Sequence, residues 1–284
     1  MITARAFAKI NLDLHIVGTK ADGYHELRTT FQSIALHDIL TFVPQRGPVV
    51  IESDDAACPT QGNIVERAAS MLWQMAERPG SPAGVRVRIA KRIPVAAGLG
   101  GGSADAAAAL RALMRLWRIR ISRTHVQEIA ASLGADVPFF FQGGTARGTG
   151  RGDVLSGAAD RPRRWVVVAL PPFGVATKDA YRWFDESGAA RDASAGRRSL
   201  NDLQRVVVAR HPEVGQLIDA LKGAGASTAA MSGSGSAVFG LFARLAAAEA
   251  AADTLIGHGR RILVTRTLSR GQHQRRVRPV LARK

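Results

Sequence analysis

Cysteine, long apolar runs and acidic residues are all scarce in this sequence of 284 residues. Cys58 is the only cysteine, so the chain can form neither an intrachain disulfide nor a metal site built from cysteines. No apolar run approaches the ~18 residues that a membrane span needs. These absences exclude a disulfide-stapled scaffold and predict a cytoplasmic protein with no membrane partner.

The shortage of acidic residues leaves a large positive charge, because 39 Lys and Arg stand against 23 Asp and Glu for a net charge of +16. Such a surplus can indicate a nucleic-acid partner or an anionic small substrate. Arg supplies most of the surplus and Ala is also abundant, which suggests a bias of composition. The Arg-rich segment after residue 260 lacks the interleaved aromatic residues that would stack on bases. We predict no specific nucleic-acid partner, and a basic nucleic-acid-binding protein is the alternative from a different class.

Strand-like and helix-like segments alternate along the chain, which indicates an α/β or α+β protein. Residues 85–89 alternate with period two and predict a half-buried strand, whereas residues 104–117 repeat apolar side chains at helical spacing. Short apolar runs at 165–170 and 238–242 predict buried strands. The Gly-rich, charged stretch 143–160 is the best candidate for a boundary between two subdomains.

A glycine-rich loop joins the predicted strand to the predicted helix. Gly98, Gly100, Gly101 and Gly102 lack the side chains that would keep a polyphosphate away from the backbone N–H groups. Ser103 is predicted to cap the helix, whose positive end would point at the bound group. No Lys-Ser or Lys-Thr follows, so this is not a Walker A loop, and the spacing departs from a dinucleotide fingerprint. A tight turn before a packed helix is the alternative.

Several polar residues in apolar surroundings could join this phosphate site. Asp105, expected in the first turn of the helix, would repel phosphate, so it must face away or help to hold a metal. Asp136 stands just before Val-Pro and an aromatic run, and Lys9 lies within a strand-like stretch. Residues 231–236 form a second loop of small residues. Each also has an ordinary explanation: a backbone cap for Asp136, a strand-edge lysine for Lys9 and a plain turn for the loop.

Three blocks of sequence together resemble the GHMP kinase superfamily. The first is Ala-Lys-Ile-Asn-Leu at 8–12, continued by Ala-Asp-Gly-Tyr-His-Glu-Leu at 21–27. The second is the loop region 94–109, followed by Leu-Gly-Ala-Asp-Val-Pro at 133–138, and the third is Met-Ser-Gly-Ser-Gly-Ser at 231–236. The Asp-Gly-Tyr-His segment resembles the member of the superfamily that binds a cytidine-bearing substrate. The tail after about residue 260 looks unpatterned and adds little to the resemblance.

The resemblance implies an α+β, two-domain GHMP kinase fold. A ribosomal-protein-S5-like N-terminal domain at 1–155 would bind ATP, and a ferredoxin-like C-terminal domain would span 156–284. A cytidine diphosphate derivative of a sugar alcohol would bind in the interdomain cleft and be phosphorylated on a hydroxyl, in the non-mevalonate route to isoprenoids. Mg²⁺ would accompany ATP, although no set of carboxylates resembles a dedicated metal cage. We expect a monomer or a weak homodimer.

The resemblance also implies roles for individual residues. Asp136 would accept the proton of the attacking hydroxyl, and Lys9 would offer positive charge to the transition state. Asn11 lies on the same strand face as Lys9 and would orient the substrate. The remaining substrate residues are Tyr24, His25, Thr177 and Tyr181. The predicted ATP residues are Asn63, Lys91, Pro94, Gly98, Leu99, Gly100, Gly101, Gly102, Ser103 and Ala104. A kinase of the homoserine or mevalonate type remains the nearest alternative.

Overall fold

The structure is a computed structural model that describes residues 1–19, 23–188 and 199–281. Its strands form two sheets, and helices cover them. None of the helices in the described ranges is both long enough and apolar enough to cross a membrane. Ala21 and Asp22 of the predicted substrate motif lie outside the described residues.

The strands are listed here in chain order. They are Ile2–Thr19 (β1), His25–Pro48 (β2), Val50–Ser53 (β3), Ala83–Ala90 (β4), Thr145–Thr149 (β5), Val154–Gly157 (β6), Trp165–Leu170 (β7), Thr228–Met231 (β8), Val238–Phe242 (β9), Arg261–Arg266 (β10) and Val280–Leu281 (β11). The helices are Ile64–Met75 (α1), Gly101–Leu116 (α2), Arg123–Leu133 (α3), Val137–Gln142 (α4), Thr177–Glu186 (α5), Asp202–Arg210 (α6), Pro212–Gly223 (α7), Leu245–Thr254 (α8) and Arg270–Arg276 (α9).

The first sheet has the order β11-β1-β2-β4-β3, and β5 pairs with the first part of β2 and carries β6 at its other edge. One face of this sheet alternates into a core with α1 and α2, so that Val85, Val87 and Ile89 point inward from β4. Helix α2 is rich in alanine, and its small side chains allow it to lie close to β1.

The second sheet is antiparallel, with the order β10-β7-β9-β8. Along the chain its strands alternate with helices as β7, α5 to α7, β8, β9, α8 and β10. This is the split βαβ arrangement of a ferredoxin-like domain. The predicted α+β fold class and the predicted ferredoxin-like second domain are therefore confirmed.

Strand β1 connects the two halves of the molecule. Its beginning packs against α2 in the first core, whereas Ala8, Ile10 and Leu12 pack against Val168 and Phe239 of the second sheet. Further along, Leu14 reaches the core around α6 and α7 and its backbone N–H donates to the carbonyl oxygen of Leu200 at 2.8 Å. Residues near the middle of β1 therefore lie where the two domains meet.

Most of the predicted elements are confirmed, and one boundary is wrong. The strands at 85–89, 165–170 and 238–242 all form. The helix begins at Gly101 rather than at 104, so Ser103 lies inside its first turn and does not cap it. The residue at the cap position is Gly100, which adopts a left-handed conformation with φ +71° that glycine tolerates without strain.

The segment 143–160 contains β5 and β6, both of which belong to the first sheet, and the chain then crosses to β7. The division of the domains at 155/156 stays a prediction. The tail after residue 260 is more ordered than its sequence suggests. It forms β10, which joins the second sheet, then α9 with a Ser269 capping box, and β11, which pairs with β1.

At Gly98 the backbone of the first domain lies directly against the backbone of Ser232 in the second. A Cβ atom added there would lie 2.1 Å from the carbonyl oxygen of Ser232, and φ is +75°. We predict that Gly98→Ala lowers the melting temperature by roughly 5 °C or more, because backbone cannot move aside as a flexible side chain can. Gly102→Ala is the matched control, since its Cβ would meet only Ile64 at 3.8 Å. Thermal melts of both variants test this, and equal melting temperatures would contradict it.

Candidate active site

A cavity of about 1140 Å³ opens between the two domains. It is lined by β1, both glycine loops, the start of α5 and the turn between β5 and β6. Every site residue predicted from the sequence lines this cavity except Ala104, whose side chain is buried in the first core. Helix α2 begins three residues earlier than expected and turns the Ala104 side chain toward the sheet, and a role of this residue in ATP binding stays a prediction.

The two loops of small residues touch each other and close one side of the cavity. The hydroxyl of Ser232 donates to the carbonyl oxygen of Gly98 at 3.0 Å and accepts from the backbone N–H of Asn11 at 3.3 Å. The amide of Asn201 donates to the carbonyl oxygens of Met231 and Gly233. The second loop is therefore fixed against both β1 and the first loop, which a plain surface turn would not need.

Lys9, Asn11 and Asp136 meet at the centre of the cavity. The ammonium of Lys9 donates to Oδ1 of Asn11 at 2.6 Å and lies 3.3 Å from Oδ2 of Asp136. Lys9 is buried, whereas a third of the Asp136 side chain is exposed. Asp136 occupies the position before α4, but its side chain makes no capping hydrogen bond. Its carboxylate is therefore available to the cavity.

The first glycine loop lies directly beside this group. The backbone N–H of Lys9 donates to the carbonyl oxygen of Leu99 at 3.0 Å. A Cβ on Gly100 would come within 2.8 Å of Phe140 and 3.1 Å of Lys9 Cγ, so only glycine allows this approach. The first N–H groups of α2 have no partner within the helix, and a positive helix end of this kind can bind an anion.

At the other end of the cavity two rings stack. His25 and Tyr181 lie with their ring centroids 4.9 Å apart at an interplanar angle of 28°, and His25 Nε2 is 2.7 Å from Oδ1 of Asp185. Burial, with the Asp136 carboxylate adding to it, raises the pKa of Tyr181 above its usual range. The phenol therefore stays protonated at neutral pH. Tyr24 lines the same end, and the Thr177 and Ser234 hydroxyls are 3.1 Å apart nearby.

Comparisons with known proteins agree with this geometry. The family described as GHMP kinases N terminal domain matches residues 63–144, and the one described as GHMP kinases C terminal matches 184–261. A 4-diphosphocytidyl-2-C-methyl-D-erythritol kinase from Pelotomaculum thermopropionicum is 43% identical over 286 residues, covering 95% of this chain and 99% of that protein. The kinase of the same name from Moorella thermoacetica is 42% identical, covering 94% and 99%. The chain belongs to this family of GHMP kinases.

Solved structures support the same assignment. A crystal structure of 4-(cytidine 5'-diphospho)-2C-methyl-D-erythritol kinase aligns with a TM-score of 0.78 and 33% identity, covering 93% of this chain and 98% of that one. A mevalonate kinase structure aligns with a TM-score of 0.66 at 12% identity, which shows the fold alone. This GHMP kinase is therefore an ATP-dependent small-molecule kinase, as the loop and the sequence blocks predicted.

Two residues predicted to bind ATP, Asn63 and Lys91, have side chains that form hydrogen bonds or ion pairs within the protein. Asn63 caps α1 by accepting from the backbone N–H of Val65 at 2.8 Å and donates to the carbonyl oxygen of Pro59. The ammonium of Lys91 is buried between Asp38 and Asp105. Both residues line the cavity, but the polar atoms of their side chains contact other residues of the protein.

The carboxylate of Asp105 is buried and paired with Lys91, although the residue is among those that line the cavity. Its Oδ2 lies 2.9 Å from the Lys91 ammonium, and its Oδ1 is buried with no hydrogen-bond partner. Among the described residues, no group of three or more His, Cys, Asp or Glu side chains could hold a metal ion.

Sequence reasoning missed two cations at the rim of the cavity. The guanidinium of Arg151 lies 4.8 Å from the centre of the Tyr24 ring, and Lys178 stands in the first turn of α5. Neither forms an ion pair with the carboxylates of the described ranges. The Gly-Arg-Gly around Arg151 was the available signal, but it fell in a stretch interpreted as a domain boundary.

Because Asp105 is buried, we expect the stability of the folded protein to depend on pH. Burial raises its pKa from 3.8 to about 8; the Asp38 carboxylate adds to this effect and the Lys91 ammonium opposes it. Between these two values the folded protein holds a proton that the unfolded chain has lost, so stability from this group is complete below pH 4 and lost as pH rises through 8.

We predict that wild type loses thermal stability relative to Asp105→Asn as the pH rises from 5 to 9, because asparagine resembles the protonated acid and does not titrate. Melting temperatures of both proteins across this range provide the measurement. A difference between them that is the same at every pH would show that Asp105 keeps one protonation state throughout.

Proposed function

We propose that this protein transfers the γ-phosphate of ATP to the 2-hydroxyl of 4-diphosphocytidyl-2-C-methyl-D-erythritol, forming ADP and the 2-phospho product in the non-mevalonate isoprenoid route. The observation that carries this proposal is the position of Lys9, Asn11 and Asp136. They lie between a glycine loop suited to phosphates and a stacked pair of rings suited to a base. The relatives of the same name, at 43% and 42% identity over nearly the whole chain, support the substrate.

In the proposed reaction the 2-hydroxyl oxygen attacks the γ-phosphorus of ATP. A bond forms between that oxygen and phosphorus, the bond from phosphorus to the β,γ-bridging oxygen breaks, and ADP leaves. Asp136 accepts the hydroxyl proton as this happens. The lack of a capping bond supports this role, because nothing in the described structure competes for the carboxylate except Lys9.

Lys9 contributes charge and Asn11 contributes orientation. An ammonium carries three donors, and here one goes to Asn11 and one points at Asp136. The third can approach the transferring phosphoryl group, whose equatorial oxygens carry the charge of the transition state. The amide nitrogen of Asn11 donates to the Thr29 hydroxyl at 2.8 Å, which fixes the amide oxygen toward Lys9.

ATP would bind as its Mg²⁺ complex along the first glycine loop. In this proposal Gly98, Gly100, Gly101 and Gly102 offer backbone N–H groups, and Ser103 adds a hydroxyl from within the first turn of α2. Asn63, Lys91, Pro94 and Leu99 form the walls nearer the nucleoside. The metal arrives with the nucleotide, so the protein needs no cage of carboxylates of its own.

The cytidine diphosphate would occupy the opposite end. We assign the base to the aromatic surfaces of Tyr24, His25 and Tyr181, because stacking on planar rings suits any nucleobase. Arg151 and Lys178 supply the positive charge that a diphosphate requires. Thr177 can donate to the substrate near the start of α5.

The nearest alternative is a kinase for homoserine or mevalonate. Structures of both types align at only 12–17% identity, and such small substrates have no ring for the stacked pair and no diphosphate for the rim cations. A cytoplasmic location, a monomer or weak homodimer, and the absence of a specific nucleic-acid partner remain part of this proposal.

An assay of ADP release tests the substrate directly. Purified protein with ATP and Mg²⁺ should turn over 4-diphosphocytidyl-2-C-methyl-D-erythritol with a kcat/KM at least roughly 100-fold above that for homoserine or mevalonate, since these lack the groups that the cavity binds. Mass spectrometry should find one added phosphoryl group on the product. Equal rates for the three substrates would remove the cytidine assignment and leave a GHMP kinase of another specificity.

Asp136→Asn tests the proposed base. We expect kcat to fall by roughly 10²–10⁴-fold, the usual contribution of a general base, while the affinity for ATP changes little. Asp219→Asn is the control, because this exposed carboxylate on α7 pairs only with Lys222 in a helical i,i+3 contact. A folded Asp136→Asn variant with a wild-type kcat would disprove the role of Asp136.

A further inference from the structure

A buried cluster of three charged side chains lies beneath the glycine loop and is not explained by the reaction itself. The ammonium of Lys91 lies 2.5 Å from Oδ2 of Asp38 and 2.9 Å from Oδ2 of Asp105. All three side chains are at most 3% exposed. They come from three different elements: Asp38 from β2, Lys91 from the turn after β4, and Asp105 from α2. The cluster therefore joins the sheet to the helix.

Asp38 also fixes the backbone that leads into the loop. Its second oxygen, Oδ1, accepts hydrogen bonds from the backbone N–H groups of Arg92 at 2.6 Å and Ile93 at 2.8 Å. The backbone N–H of Lys91 itself donates to Asp54 at 2.8 Å. Three consecutive N–H groups after β4 are thus bound to carboxylates, so this turn has little freedom to move.

The charges in the cluster do not balance unless one carboxyl group is neutral. Burying two carboxylates with one ammonium would leave an uncompensated negative charge, which is costly in the interior of a protein. Asp38 accepts two backbone N–H groups as well as the ammonium, whereas Oδ1 of Asp105 has no partner. Lys91 and Asp38 are accordingly the ionised pair, and Asp105 holds the proton.

The cluster lies directly against the first residue of the helix that would bind phosphate. A Cβ on Gly101 would lie 3.0 Å from Ile93 and 3.4 Å from the Lys91 ammonium. Asp105 is one turn further along the same helix and is bound to that ammonium. The position of the first turn of α2, and of its unpaired N–H groups, therefore follows the position of the turn that carries Lys91 and Ile93.

We propose that Lys91 is a positioning residue whose ammonium neutralises the buried Asp38 carboxylate, so that the turn of residues 91–93 keeps its place against Gly101 and the first turn of α2 presents its N–H groups to the phosphates of ATP. This rests on the part of the proposed function that assigns ATP to the glycine loop, and it does not depend on the identity of the second substrate. The ammonium of Lys91 then acts through this turn and the helix, in addition to the place of the residue in the wall of the cavity.

Binding of ATP with Mg²⁺ by calorimetry, without the second substrate, tests the proposal separately from the cytidine assignment. Lys91→Met keeps most of the side-chain volume but leaves Asp38 buried without its cation. We expect its Kd for ATP to rise at least about tenfold, the effect of losing one charge-assisted interaction. Combining Lys91→Met with Asp38→Asn removes the uncompensated charge, and the amide oxygen can still accept from Arg92 and Ile93. The double variant should bind ATP within about threefold of wild type.

Arg260→Met is the matched control for general destabilisation, because Arg260 forms a 2.6 Å ion pair with Glu213 in the second domain, away from the residues that line the cavity. It should lower the melting temperature and leave the Kd for ATP unchanged. Two results would overturn the proposal: a Lys91→Met variant that binds ATP like the control, or a double variant that binds no better than Lys91→Met. If Lys91→Met does not fold, the double variant alone tests the proposal. A Kd for ATP that is tenfold weaker than that of wild type would then overturn it.

Discussion

The close approach of Gly98 to Ser232 is the contact on which the active site depends. No side chain separates the two backbones, and the Ser232 hydroxyl bridges the Gly98 carbonyl oxygen and the Asn11 N–H. This bridge sets the distance between a loop of the first domain, a loop of the second and the strand that carries Lys9. The cavity, the glycine loop and the Lys9–Asp136 pair all take their positions from it.

Local sequence patterns predicted much of the fold because they report which face of an element is buried. Period-two alternation at 85–89 and the apolar runs at 165–170 and 238–242 gave strands where they were expected. The start of α2 was wrong because Ser103 is a good cap by itself, whereas the position of the helix is fixed by Lys91 and Ile93, which pack against Gly101. Glycine at 100 then makes the earlier start possible. The burial of the Ala104 side chain follows from the same earlier start.

The candidate site was predicted where its residues belong to contiguous motifs, and it was missed where distant residues meet. Lys9, Asn11 and Asp136 come together as expected from the resemblance. Asp38 carried no local signal, since it is a single acid in a long strand, and the Gly-Arg-Gly signal of Arg151 fell in a stretch interpreted as a domain boundary. Their importance comes from partners more than fifty residues away for Asp38 and more than one hundred for Arg151.

The pairing of strand β1 has a consequence for folding during synthesis. One edge of this strand pairs with β2, which follows it directly, whereas several other partners of the strand come late in the chain: Leu14 bonds with residue 200, Asn11 with Ser232, and Ile2 pairs with Leu281. Until those segments emerge, the N-terminal strand presents an unpaired edge to other chains. The nascent chain therefore carries this aggregation risk until the segments that contain Leu200, Ser232 and Leu281 have been synthesised.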